Sequence, residues 1–115
     1  MITKNEKGSI EITNEVFTVI AGEAATKCFG VRGMAYRNVT DGIVSLLKRE
    51  NMSKGVKVTF DNDKVNIDVH IIIEHGVNIP AICESIMNEV RYNVERVTCV
   101  NVGCVTVKVD SVVAE

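Results

Sequence analysis

Between Val65 and Ile73 every second residue is valine or isoleucine, and Asn66, Asp68, His70 and Ile72 fill the places between. A strict period of two over nine residues fits a strand laid with one face on a core, since a helix would scatter those side chains around its axis. The same preference runs through the whole chain, which holds 20 Val and 12 Ile but only 2 Leu. Branching at Cβ suits a pleated, half-buried surface and costs rotamer freedom in a helix. The chain is therefore built around a sheet. Its 115 residues fit a single hydrophobic core, and a chain of that size buries about two-thirds of its unfolded surface, enough to fold without metal or disulfide staples.

The segment after the alternating run reads as a helix. Gly76 closes the strand, Asn78 can cap, and Pro80 is tolerated in a first turn. Ile79, Ile82, Ile86, Val90 and Val94 then recur at helical spacing. On the other side, Val56, Val58 and Phe60 alternate with Lys57 and Thr59, and Asp61 to Lys64 makes a hairpin connection. A last strand is expected from about Val97 to Val109. Its apolar phase slips from even (Val100, Val102) to odd (Val105, Val107, Val109), which predicts a β-bulge at Gly103-Cys104.

The first half is less regular. Gly8 to Ile12 reads as a short strand, followed by a helix over about 14–28 capped by Thr13 or Asn14, with Val16, Val19, Ile20, Ala24 and Cys28 as its apolar stripe. Val31 to Tyr36 fits a short strand or a loop. Thr40 or Asp41 could start a second, shorter helix through Ile43, Val44, Leu46 and Leu47. Together the elements predict an α+β fold: a two-layer sandwich, with a mixed or antiparallel sheet and two main helices on one face. The expected boundaries are a disordered tail at 1–7, one domain over 8–110 and a C-terminal tail at 111–115. The opposite sheet face carries Lys57, Thr59, Asn66, Asp68, His70 and Ile72, which makes it the candidate interaction face.

Charge and chemistry narrow the function. With 13 basic and 15 acidic residues the net charge is −2, so the strong positive field of a nonspecific nucleic-acid binder is absent. No apolar run approaches the length of a membrane span, which excludes direct insertion. The N-terminus has no apolar signal core, so the four cysteines at 28, 83, 99 and 104 are expected as reduced thiols in a cytoplasm. His70 and His75 are the only histidines, and no local motif joins either to a nucleophile; no catalytic residue is assigned. The cysteines lack close ligand spacing, and Asp61-Asn62-Asp63 lacks the glycine and distal glutamate of a calcium loop, so no metal or cofactor is expected. One motif could bind a ligand. Gly30-Val31-Arg32-Gly33 is a G-x-x-G run with Lys27 and Arg37 nearby, and in K-homology domains such a loop between two helices clamps a nucleic-acid backbone. Gly30, Arg32, Gly33 and Arg37 are thus the alternative site, RNA the alternative partner.

Several stretches in order carry a resemblance. They are Gly8-Ser9-Ile10-Glu11-Ile12, then Val19-Ile20-Ala21 with Ala24, Gly30-Val31 with Gly33-Met34, Val56 with Val58, and the alternation from Val65. Glu74-His75-Gly76-Val77-Asn78-Ile79-Pro80 and Val97 with Val100-Asn101-Val102 complete it. Over residues 8–110 the chain resembles the alkaline shock protein (envelope stress response) family of Gram-positive bacteria. The resemblance implies a small cytoplasmic protein, without catalysis or cofactor, linked to cell-envelope homeostasis. It implies self-assembly into a homo-oligomer and, for some members, a place at the inner membrane surface through a separate membrane-anchored partner. Lacking the extended charged tails of longer members, the chain resembles the compact, housekeeping kind.

Overall fold

The computed structural model describes residues 1–37, 44–47 and 54–114. Its elements in chain order are β1 (Ile2–Asn5), β2 (Gly8–Glu11), α1 (Asn14–Thr26), β3 (Val31–Arg37), β4 (Val44–Leu46), β5 (Val56–Asp61), β6 (Lys64–Glu74), α2 (Ile79–Thr98) and β7 (Asn101–Val113). The fold is α+β, with two helices and two sheets among the described residues.

β6, the alternating strand, is the centre of the main sheet. β7 runs parallel to it along one edge, from Lys64 beside Asn101 to Glu74 beside Val113. The other edge is shared end to end: β5 pairs antiparallel with the first half of β6, and β3 with Ile71 to Ile73. β4 extends the sheet beyond β3. The sheet is mixed because α2 lies between β6 and β7, and a helical crossover returns the chain in the same direction. β5 and β6 are joined by Asn62-Asp63, with Asp61 opposite Lys64 and Asn62 left-handed at φ 58°.

Both helices cover one face. The core lies between them and the odd residues of β6: Val65, Ile67, Val69, Ile71 and Ile73 pack with Phe17, Ala21, Ala24, Ala25, Ile82, Ile86, Val90 and Val94. α2 forms over the predicted stripe, with Ile82, Ile86, Val90 and Val94 buried and Ile79, expected on the stripe, exposed. Asn78 caps it by accepting from the Ala81 N–H at 3.0 Å, and Cys99 ends it in a left-handed turn at φ 58°, its N–H on the Glu95 carbonyl at 3.0 Å. The bulge also stands where the phase slip put it. Val65 pairs with Val102 and Asn66 with Cys104, leaving Gly103 unmatched. A second bulge leaves Asp110 over, between the pairs Ile71–Val109 and Ile72–Ser111.

Other expectations are corrected. Val44–Leu46 is a strand, not part of a helix, because β3 offers it a ladder at Ala35 to Arg37; Thr40, Asp41 and Ile43 lie outside the described residues. Val97 belongs to α2, so the last strand begins at Asn101. α1 buries Phe17, Ala21, Gly22, Ala24 and Ala25 and leaves Val16 and Val19 about 41% and 43% exposed. Small residues let the helix lie close to the sheet, and this outweighs branched bulk. Residues 1–7, expected as a disordered tail, instead supply β1, which pairs with β2 from Ile2–Glu11 to Asn5–Gly8. The C-terminal boundary moves as well, since β7 continues to Val113.

Candidate functional site

The G-x-x-G run starts where α1 has ended. Gly30 takes φ +87°, and a Cβ there would run into Ile82 of α2, so a turn this close to the second helix requires glycine. Gly33 is inside β3, opposite Ile72 and past a bulge that skips Arg32. Leu46 lies over it, 2.8 Å from where a Cβ would stand. A K-homology clamp needs a helix after its second glycine, and here residues 31–37 are a strand. The expected helix–loop–helix is therefore not formed, and Gly33 serves close packing of β4 on β3. Arg37 ends β3, paired with Val44 and four residues from Gly33. Arg32 and Gly33 do border an open cleft of about 380 Å³ with Glu23, Thr26, Lys27, Met34 and Leu47. Its two cations are offset by Glu23 within the cleft and by Glu74, 3.9 Å from Arg32.

The face away from the helices is assembled as the alternation dictates. Lys57 stands beside Asp68 and Thr59 beside Asn66 across β5 and β6. On the other side Cys104, Thr106 and Lys108 of β7 stand beside Asn66, Asp68 and His70. His70 Nδ1 lies 2.9 Å from Asp110 Oδ2, and Lys108 Nζ lies 3.9 Å from Asp68 Oδ2. Cross-strand pairs of this kind fix side chains on a sheet surface. The sixth residue of the predicted face differs. Ile72 is on this side of the sheet, between Gly33 and Ser111, but only 4% exposed. Asp110, half-buried against His70, is a member of the face that period-two reading missed. It continues the even phase of Thr106 and Lys108, and the pairing of β7 with β6 sets it beside His70.

Two of the four thiols, Cys28 and Cys83, pack against the protein. Burial pushes the Cys28 thiol up; a hydrogen bond with Ser85 works against this and the Glu89 charge adds to it. Cys28 Sγ also points at the Ala24 carbonyl, 3.5 Å away. Burial likewise raises the Cys83 thiol. Since the thiolate is the nucleophile, both are quiet at neutral pH. Cys99 and Cys104 are exposed. Among the described residues no three of His, Cys, Asp and Glu converge to hold a metal ion. Among the described residues no helix is long and apolar enough to cross a membrane.

Residues 2–114 match the alkaline shock protein 23 family, described as having a cell envelope-related function. The chain is 34% identical to the uncharacterized protein YloU of Bacillus subtilis over 110 residues, covering 95% of this chain and 92% of that one. It is 33% identical to YqhY of the same organism over 102 residues, covering 89% and 75%. A stress response regulator gls24 homolog of Streptococcus pyogenes is 30% identical over 111 residues, 94% of this chain and 60% of the longer relative. No solved structure matches. Matched along nearly its whole length, the chain belongs to the alkaline shock protein 23 family, whose function is related to the cell envelope.

Proposed function

We propose that the chain is a nonenzymatic interaction module that associates with itself and supports cell-envelope homeostasis and stress tolerance. It works from the cytoplasm and reaches the inner membrane surface through a membrane-anchored partner protein. The observation that carries this reading is the helix-free sheet face, where His70 and Asp110 hold each other at 2.9 Å and Lys108 lies 3.9 Å from Asp68. Side chains already fixed lose little rotamer entropy when a partner covers them, so such a face is preorganised for docking. The name of the streptococcal relative, a stress response regulator, supports the physiological part. The raised Cys28 and Cys83 thiols weigh against thiolate chemistry at those two positions.

The test replaces the native gene with a Thr59→Arg/Asn66→Glu variant, which changes the polar face and leaves the core untouched. The variant keeps its circular-dichroism spectrum and thermal midpoint but does not restore tolerance to envelope stress. Full tolerance from a folded variant would sink this use of the face.

A further inference from the structure

Deepening the self-association proposed above, we infer that two copies join edge to edge through β7, pairing antiparallel about a two-fold axis at Val107. The 13-residue strand β7 is bonded to β6 along one side only; among the described residues no strand lies along its other side. An unpaired edge of this length is a template for another chain unless the protein blocks it.

Here the blocking is local. At the start of the strand, α2 reaches over with two side chains: Glu95 Oε2 accepts from the Val102 N–H at 3.0 Å, and Arg91 donates to the carbonyls of Val102 and Gly103. Next to these caps is the bulge at Gly103, and the second bulge falls at Asp110. Between them Cys104 to Val109 is regular, and none of its outward backbone groups has a side-chain partner among the described residues. Caps and bulges thus leave one uninterrupted docking stretch of six residues.

That stretch complements itself. Opposed residues in an antiparallel pair share a face, so a two-fold pair keeps its helices on one side only when a residue lies on the axis. With Val107 there, Val105 meets Val109 of the second copy and Val107 meets its equivalent. The valine row, half-exposed at Val107 and Val109, is then covered by the same row. On the polar face Thr106 meets Lys108. Centring on Lys108 would oppose two ammonium groups, and centring on Asp110 two carboxylates. Lysine on an edge usually discourages pairing, but the Lys108 ammonium lies over its own sheet, 3.9 Å from Asp68 Oδ2. The result is a sheet continuous across two copies, the isologous contact expected of a two-fold dimer.

The register is tested by disulfide formation in a Cys99→Ser/Cys104→Ser background, where the remaining thiols are Cys28 and Cys83. One sample carries Thr106→Cys, another Lys108→Cys, and a third is their mixture under mild oxidation. Directly opposed residues sit about 4.5–5.5 Å apart at Cα, within disulfide reach, so the mixture cross-links at least tenfold more than either variant alone. Sedimentation equilibrium of the unmodified protein runs alongside and shows a dimer, which Thr106→Lys weakens at least tenfold by setting an ammonium opposite Lys108 of the second copy. An oligomer that persists without the mixed cross-link and is indifferent to Thr106→Lys overturns β7 pairing while leaving self-association standing. A monomer at all concentrations overturns both.

Discussion

Phe17 is fully buried under α1, edge-to-face with Phe60 at a centroid distance of 5.6 Å and an interplanar angle of 73°. Phe29 stands 88% exposed in the turn beyond the same helix. Truncating a buried aromatic forfeits transfer energy and leaves a cavity, so Phe17→Ala costs about 3–5 kcal/mol in chemical denaturation. Phe29→Ala stays within about 0.5 kcal/mol, as surface changes do. Equal losses at the two positions would contradict the assignment of the core. The thiols give a second prediction at this scale. Burial raises Cys28 and Cys83 in the folded chain, and unfolding returns them to the ordinary thiol range. Above that range the unfolded chain binds fewer protons than the native one, so stability falls as pH rises. Their contribution is complete below the ordinary thiol pKa and disappears as pH climbs through the raised values. The denaturation midpoint is therefore expected to drop on the alkaline side, with a flatter profile for Cys28→Ala/Cys83→Ala. Parallel profiles for the two proteins would refute the linkage.

Among the elements, α2 is the one whose ends are most open to test. Asn78 supplies an acceptor to an otherwise orphaned N–H, and Asn78→Ala is expected to cost about 1 kcal/mol. Cys99 occupies a left-handed C-terminal position usually taken by glycine. Cys99→Gly removes that strain and raises the midpoint, by about 0.5–1 kcal/mol in free energy. Urea titrations of both variants check the pair, and opposite signs are the expected result. At the other end of the chain, β1 and β2 pair with each other but present no buried side chain, and Ile2 and Ile10 are 58% and 59% exposed. A two-stranded hairpin without a packed face is marginal by itself. The Phe17-centred packing of α1, rather than the hairpin, holds the N-terminal half to the sheet.

At the scale of the molecule, the Cα radius of gyration is 14.9 Å and the extents are 56 × 31 × 22 Å, against the ~13 Å expected of a compact chain of this length. Long strands and a projecting hairpin account for the excess. Stability should grade accordingly. In native-state hydrogen exchange the amides of β6, flanked on both edges, are expected to open only with global unfolding, while those of β1 and β2 exchange by local opening many-fold faster. Protection of the hairpin equal to that of β6 would show it to be packed against something further. The same contrast separates what was legible in the residues from what was not. The alternation of Val65 to Ile73, the turn at Asp61 to Lys64, the capped stripe of α2 and the slip at Gly103 all emerge from spacing along the chain, because each is set by a local period or a local backbone need. The polar face followed from the same alternation, as far as His70. Tertiary contact decided the rest. Val44–Leu46 became a strand because β3 offers its edge, and α1 turned Phe17 and its alanines inward because only they fit against the sheet. Asp110 joined His70 because β7 lies beside β6, while Ile72 was buried between Gly33 and Ser111. Each of these depends on what lies across a ladder or a helix contact, far away in sequence, and periodicity carries no information about that partner.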